Sequence, residues 1–417
     1  MNDKKYIPDA NKVTNICLQA FESIAKTGKP IANKEWTVLT CIVQYDHPKE
    51  NIEVVSLGTG TKCISKTEMN NHGHILNDSH AEVMCRRGFI RYLYEQINLS
   101  ISENSSIFKF DKTKKRFKLN DEISFHLFST HSPCGDASIY NIDEAPSAKK
   151  SKLQPKALAN ANDLFGQCIS LSQGSNVSFT GAKIIYDTFN VAQDLMIQSC
   201  GNIRTKPGRG DPTLSISCSD KLAKWNVIGM QGALLHQFLV ESIHYDSFTF
   251  CDPNFCDIEA TERALFKRFT NRFNQLKCEL KIMHPKIQIS CGTKFEFEKN
   301  DQLDPSPGSI VWCKVKRCPQ QVAVSGKRQG VTKKLATTPK GRLLITKIEL
   351  FREYLNLLKK FNQKLNLFPS GTNFDDLTYS EAKNKAIDYQ SIWNELKKSY
   401  FKIWTIKPDE LKTFKIN

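Results

Sequence analysis

The sequence predicts an α/β fold, and three observations carry that reading. Apolar runs of strand length alternate with longer segments whose apolar residues recur at helical spacing. Hydrophobic residues make up 40% of the 417, enough for a substantial buried core. No apolar run reaches the roughly 18 residues of a membrane span, so a soluble core is expected.

A first helix is expected over residues 11–26, where Val13, Ile16, Cys17, Ala20, Phe21 and Ile24 share one side. Trp36 to Val43 and Glu53 to Leu57 read as strands. A second helix, 80–97, aligns Val83, Met84, Ile90, Leu93 and Ile97. Ile123 to Ser129 and Ser309 to Val315 are further strands. Residues 261–278 repeat Leu265, Phe266, Phe269, Phe273 and Leu276, and residues 346–361 repeat Ile348, Phe351, Leu355, Leu358 and Phe361. Residues 379–400 are expected as one long final helix. The pattern lapses between Ile142 and Gly181, which reads as a surface insertion within a single domain of residues 1–417. Its KKSK run is a nuclear-import pattern, though short basic runs are usually solvated loops. Lys327 to Lys340 is a second basic loop.

Lys plus Arg number 59 against 43 Asp plus Glu, a formal charge of +16. That excess favours an anionic partner, nucleic acid first. The 14 cysteines are scattered and do not form a dense disulfide framework. The N-terminus is polar and carries no signal-peptide core. A cytoplasmic or nuclear setting is expected, with most cysteines packed as thiols.

Residues 77–87 read NDSHAEVMCRR. A histidine at a helix start can offer a neutral ring nitrogen to a metal, and a glutamate two residues on can reach a water on that metal. His-x-Glu alone is a weak signal, because most such pairs are surface pairs. Two cysteine segments strengthen it. In STHSPCGDASIY, the proline before Cys134 suits a tight turn from strand to helix, and a helix N-terminus stabilises a thiolate. In SISCSDKLAKWNVIG, Cys218 precedes a helix-like run. The cysteines lie 84 positions apart (218 − 134), so spacing alone does not establish a shared metal.

These segments, with GTGTKCI at 58–64 and QGALL at 231–235, resemble the adenosine deaminases acting on RNA, in order and in spacing. The resemblance is concentrated between about Gly58 and Leu235 and continues weakly through the last helix. It implies a cytidine-deaminase-like fold: a central mixed sheet sandwiched by helices, with additional C-terminal helices over 261–417. It implies zinc on His80, Cys134 and Cys218, a water completing the site, and Glu82 as proton shuttle. Gly60, Thr61 and Lys62 would lie in the base-facing loop.

Within that family the chain is most similar to the branch that modifies transfer RNA. The deaminase-like region begins near the N-terminus, without preceding duplex-binding domains. RTKPGRGDPTLSISCSDK is short where duplex editors carry a longer base-flipping loop, and Ser138 stands where they carry an arginine. The branch implies conversion of adenosine to inosine beside the anticodon of alanine transfer RNA, at position 37. A loop adenosine is already largely unstacked, so extruding it costs less. An editor of messenger-RNA duplexes and an inactive RNA-binding protein on the same scaffold are the alternatives. Lys206, Arg209, Lys333 and Lys334 are candidates for contacts to the RNA backbone.

Arg86 and Arg87 leave two readings open, a solvated pair or the wall of an anion site. Lys383 falls on the packing stripe of Tyr379, Ala382, Ala386, Tyr389, Trp393 and Leu396, so it either snorkels outward or meets a buried anion. The resemblance favours the anion. It implies a buried inositol hexakisphosphate on Asn77, Arg86, Arg87, Lys221, Lys224, Tyr379, Lys383, Tyr389, Trp404 and Lys407. Asp78 and Lys221 would link that cage to the zinc ligands. Three positions depart from the family pattern: Lys224 replaces an arginine, Ala233 a serine and Trp393 a lysine.

Overall fold

The computed structural model describes residues 6–102, 106–141, 177–178, 180–185, 200–207, 213–269, 282–332, 334–335, 338–365 and 373–416. Helix α1 (Ala10–Ser23) is capped by the Asp9 carboxylate, which accepts from the Asn11 and Lys12 amides. Strands β1 (Leu39–Asp46) and β2 (Asn51–Thr59) form an antiparallel pair. A two-stranded ribbon follows, β3 (Thr61–Cys63) with β4 (Asp78–His80), and leads straight into helix α2 (Ala81–Ser102). Next come β5 (Ile123–Ser129), α3 (Cys218–Ile228), β6 (Ser247–Phe250) and α4 (Ile258–Glu262). Then follow β7 (Lys286–Ile289), β8 (Gly308–Cys313), β9 (Gln320–Val324), β10 (Lys327–Arg328) and α5 (Lys347–Leu365). Two helices close the chain, α6 (Tyr379–Asn384) and α7 (Ile387–Ser399).

Eight strands make one mixed sheet in the order β7-β6-β5-β1-β2-β8-β9-β10. β5, β6 and β7 run parallel, and the other neighbours are antiparallel. Both faces are covered by helices, as the sequence predicts. Leu39, Cys41 and Val43 of β1 pack with Val13, Cys17 and Phe21 of α1 on one face. Ile42, Phe125 and Leu127 pack with Phe89 and Leu93 of α2 and with Leu355 of α5 on the other. A strand buried on both sides reads as a nearly unbroken apolar run, which is the character of LTCIVQY. No described helix is long and apolar enough to cross a membrane.

Several expected boundaries move. The first strand starts at Leu39 because Glu35 and Trp36 pair instead with Asp304 and Pro305. The long helix expected over 379–400 is two helices, split at Lys385 and Ala386. No proline or glycine marks the break. It follows from packing, since Tyr379 rests on Phe351 and Phe414 while Tyr389 faces His236. The helix expected over 261–278 begins earlier, at Ile258, and residues beyond Phe269 lie outside the described part until Ile282. Nearly all of the insertion expected at 142–181 also lies outside it.

Gly58 sets how closely α2 approaches the sheet. A Cβ there would sit 2.4 Å from the Cys85 nitrogen and 2.5 Å from the Ala81 oxygen, both backbone atoms of α2. We therefore expect Gly58→Ala to push the start of α2 off the sheet and to cost about 1–3 kcal/mol of stability by overpacking. Denaturant unfolding reads this directly. An unchanged midpoint would mean that the helix start moves aside freely.

Candidate active site and adjoining cation cluster

The sheet gathers its loops at one end. There β1 begins, and β2 and β5 finish beside it, with Leu39 opposite Thr59 and Thr40 opposite Ser129. Gly60 follows β2 with φ +130°, and a Cβ on it would lie 2.0 Å from Ser309 Oγ. Its amide donates to Val38 O (3.2 Å) and its carbonyl accepts from the Ala81 amide (2.9 Å), which fastens the sheet edge to the start of α2. In the ribbon, Thr61 lies opposite His80 and Lys62 opposite Ser79. The residues assigned to the base-facing loop thus flank the histidine.

His80 closes β4, Cys134 lies in the turn after β5, and Cys218 opens α3. Their ligand atoms all lie within 4.8 Å of one another. Cys134 Sγ is 3.8 Å from His80 Nδ1 and accepts the Cys218 amide at 3.3 Å. The helix expected to start at Cys134 is only a single 3-10 turn, Asp136–Ser138. Its short course follows from Arg263, which holds the Asp136 and Ile139 carbonyls, and from Ser138 Oγ, which donates to Pro133 O (2.9 Å). The helix N-terminus that faces the Cys134 sulfur belongs to α3. It favours the thiolate.

Two buried sulfurs this close compete for one negative charge. The hydrogen bond with Cys218, together with Lys206 and His80, holds Cys134 well below the usual thiol range. Burial and the Cys134 charge push Cys218 up. A divalent ion among the three donors would remove the conflict by ionising both. One imidazole and two thiolates suit a borderline-soft metal with an open position. Glu82, in the first turn of α2, is 5% exposed. Burial, and then the Cys134 sulfur, raise its carboxyl above the ordinary value. A carboxyl so placed can both take and return a proton.

Lys206 requires a correction. It was expected on the surface against RNA, yet its side chain is fully buried. Its ammonium donates to Asp78 Oδ1 (3.0 Å), Asp78 Oδ2 (2.8 Å) and Cys218 Sγ (3.0 Å). Three acceptor atoms within reach, two of them on the ionised Asp78 carboxylate, outweigh the cost of burying the charge, so the side chain turns inward. Asp78 Oδ1 also accepts the His80 amide (3.0 Å), and Lys221 closes on Asp78 from the other side. Burial opposes ionisation of Asp78, but Lys206, Lys221 and His80 override it and hold the carboxyl well below its usual range. Arg209 and Lys333 lie outside the described residues, and Lys334 is exposed in a turn.

Beyond Lys221 the chain gathers cations. Arg86 is half-buried with its guanidinium 4.5 Å over the Trp225 ring, and its Nε, itself buried, finds no partner among the described residues. Arg87 donates to Ile345 O. Lys407 reaches Asn77, whose amide oxygen accepts at 3.3 Å in the orientation that satisfies both of its ends. Lys383 lies 5.4 Å over Tyr379. Lys224 sits 3.4 Å over Trp393 and 5.3 Å over Trp404. Tyr389 is buried, with its phenol pushed up to about 12 by burial. Burial first, and then the neighbouring cations, lower Arg86 to about 10 and Lys407 to about 8. Lys224 falls well below the usual lysine range for the same reasons. Three residues missed in the sequence join the cluster. Lys347 lies against Lys407, Arg87 and Lys383 and is lowered to about 6 by burial and those charges. Lys397 lies 5.7 Å over Trp393, and Lys412 acts on both Lys347 and Lys397. Lys347 opens a helix directly after Thr346, where a lysine reads as an ordinary surface charge.

A histidine and two cysteines around an open corner, with a buried glutamate on the next helix turn, define the site layout of a base deaminase. The family model for the adenosine-deaminase (editase) domain matches residues 56–408, and the chain belongs to that family of deaminating enzymes. It is 41% identical over 415 residues to tRNA-specific adenosine deaminase 1 of Drosophila melanogaster, covering 98% of this chain and 97% of that protein. The Homo sapiens protein of the same name is 31% identical over 503 aligned positions, covering 97% and 99%. Double-stranded RNA-specific adenosine deaminase of Rattus norvegicus is 28% identical over 394, covering 90% of this chain but 30% of that protein.

Removing Lys206 strands a buried carboxylate. Lys206→Met, which keeps the length and loses the charge, should cost about 3–5 kcal/mol in equilibrium unfolding. A loss below about 1 kcal/mol would mean that Lys221 alone satisfies Asp78.

Proposed function

We propose that the protein is a zinc-dependent hydrolytic deaminase that converts adenosine to inosine in transfer RNA, at the adenosine beside the anticodon of alanine transfer RNA. The observation that carries this reading is the His80, Cys134 and Cys218 cluster with Glu82 buried beside it. Its substrate class rests on relatives that are named as transfer-RNA-specific and aligned over 97% and 99% of their own length. His80 and the two cysteines would hold the zinc. When bound there, zinc supplies Lewis acidity that makes a water nucleophilic near neutral pH.

Glu82 would take both protons of the attacking water in turn, handing the first to adenine N1 and the second, from the hydroxyl now on C6, to the amino group that leaves as ammonia. Its burial excludes competing bulk water from those transfers. Asp78 orients His80 through the histidine's backbone amide, and Lys206 donates to the Cys218 sulfur and steadies its negative charge. Thr61 and Lys62 pair with His80 and Ser79, which supports a role for them in meeting the extruded base.

The cation cluster is assigned inositol hexakisphosphate as its ligand. The fit rests on the unpartnered Arg86 Nε and on cations whose neighbours are chiefly other cations. Lys224 and Trp393 depart from the family pattern together. The indole face takes the Lys224 ammonium at 3.4 Å, so the two substitutions compensate each other.

Incubation with alanine transfer RNA, followed by sequencing, should map inosine to the adenosine beside the anticodon. Inosine in long duplexes and not in transfer RNA would overturn the substrate assignment. Glu82→Gln should retain about one zinc per chain and lose roughly 10²- to 10⁴-fold in turnover. Anion binding has its own test in the pH dependence of stability. Lys347, near 6 when folded, titrates at the ordinary lysine value of 10.5 when unfolded. Between those values the unfolded chain binds more protons, so stability of the anion-free protein rises with pH from about 6 upward. Added inositol hexakisphosphate should raise the melting temperature and flatten that rise, and Lys347→Met should flatten it without ligand. A rise of equal slope in all three samples would remove the cluster from anion binding.

A further inference from the structure

Cys134 and Cys218 begin segments of the same form. Each is followed by one small residue and then by an aspartate: Cys134-Gly135-Asp136 and Cys218-Ser219-Asp220. Both aspartates are completely buried. Both pair with arginines from one short stretch of chain. Arg263 Nε donates to Asp136 Oδ2 (3.2 Å), and its Nη2 donates to the carbonyls of Asp136 (2.9 Å) and Ile139 (2.7 Å). Arg268 Nη2 donates to Asp220 Oδ1 (2.7 Å).

A local irregularity makes the pairing possible. After α4 the chain widens into a π-helical turn, Arg263–Lys267, and the Arg268 amide donates to the Arg263 carbonyl. In an α-helix, residues five apart point about 140° away from each other around the axis. With a bond from residue i to i+5 they stand nearly one above the other, and such turns recur at functional sites. The wide turn therefore brings both guanidinium groups to one face, toward both cysteine loops.

We propose that Arg263 and Arg268 act together as a clamp that sets the separation and direction of the two sulfur ligands. They are positioning residues, and the proposal rests on the metal-site reading above. Asp220 Oδ2 accepts from Ser217 Oγ (2.6 Å) and from the Arg204 amide (3.0 Å), so Arg268 steadies the cap of the helix that Cys218 opens. The two loops are also laced to each other. The Ser219 amide donates to Cys134 O (3.0 Å), its hydroxyl donates to Pro133 O (3.0 Å), and the Ala137 amide donates to that hydroxyl (3.1 Å). Lacing fixes the loops relative to one another, and the arginine pair fixes the laced unit against the π turn. Arg268 is itself held, 4% exposed, 5.1 Å over the Phe269 ring and with Nε on Ala264 O (2.9 Å). Zinc–sulfur bonds of about 2.3 Å tolerate shifts of only about 0.2 Å, so small displacements of either loop reach the metal.

The test uses the full chain with Arg263→Lys, Arg268→Lys and Arg268→Gln. Lysine keeps the charge and loses the fork, so the lysine variants are the ones expected to fold. Two readouts report on the metal rather than on turnover: the visible spectrum of the cobalt(II)-substituted protein and zinc affinity in competition with a chelator. Each variant should show shifted or weakened cobalt–thiolate bands and about 10- to 100-fold weaker zinc affinity. The lysine double variant should fall short of the product of the two single effects, as expected of residues acting on one unit. Arg342→Gln breaks a buried ion pair with Glu349 elsewhere and serves as a control for lost stability alone. It should leave the cobalt spectrum unchanged. Folded Arg263 and Arg268 variants with wild-type spectra and wild-type zinc affinity overturn the clamp while leaving the metal site standing. A wild-type protein that takes up neither zinc nor cobalt overturns both.

Discussion

The buried carboxylate of Asp78 is the charge on which both halves of the site depend. It faces the His80 amide, the Lys206 ammonium and the Lys221 ammonium at once. Lys206 carries the connection to the Cys218 sulfur, and Lys221 carries it to the cation cluster. A carboxylate this deep is stable only because two cations reach it, and Lys206 is stable only because Asp78 and the sulfurs reach it. None of the groups could be kept alone. The network therefore fixes three segments that are distant in sequence, 78–80, 206 and 218–221, into one geometry.

Close packing carries the same constraint into the protein backbone. Gly58 lets α2 lie directly on β2, and Gly60 lets β2 turn into the ribbon against Ser79. His80 and Glu82 then fall on either side of the strand-to-helix junction, the imidazole toward the cysteines and the carboxyl buried behind it. The parallel half of the sheet delivers the rest. β5 runs out toward Cys134, and Cys218 meets it at the head of α3. A mixed sheet suits this task, since its ends bring loops from strands of different parentage to one edge.

The grouping of His80, Cys134 and Cys218 beside Glu82, and of most of the neighbouring cations, was legible through the family resemblance; the residues by themselves left a weak His-x-Glu signal and two open readings of Arg86 and Arg87. The place of Lys206 was not legible. Arg-Thr-Lys in a basic loop carries the signature of a surface, and only the non-local approach of Asp78 and Cys218 turns the lysine inward. Lys347, Lys397 and Lys412 were missed for a related reason. Each is one more lysine in a lysine-rich chain, and its membership of a cluster depends on how α5, α7 and the last turn converge. The split between α6 and α7 leaves no mark in composition, because packing against two different surfaces imposes it. The π turn between Arg263 and Arg268 is equally silent. Its sequence, RALFK, would sit comfortably in an α-helix.

Charge balance ties the two halves together more tightly than their separate descriptions suggest. The cluster holds lysines that burial and mutual repulsion drive toward neutrality, Lys347 to about 6 and Lys407 to about 8. Left as they are, they weaken one another, and Lys407 shares Asp78 with Lys206 and Lys221. On the proposed reading, a polyphosphate held by these cations would restore their charge and would draw on Lys407 and Lys221. Asp78 would then be left chiefly to Lys206. The polyanion would thus act on the sulfur ligands without touching them, through a carboxylate whose supply of cations it controls. That chain of effects requires one shared acid between two cationic groups, and Asp78 is the acid so placed.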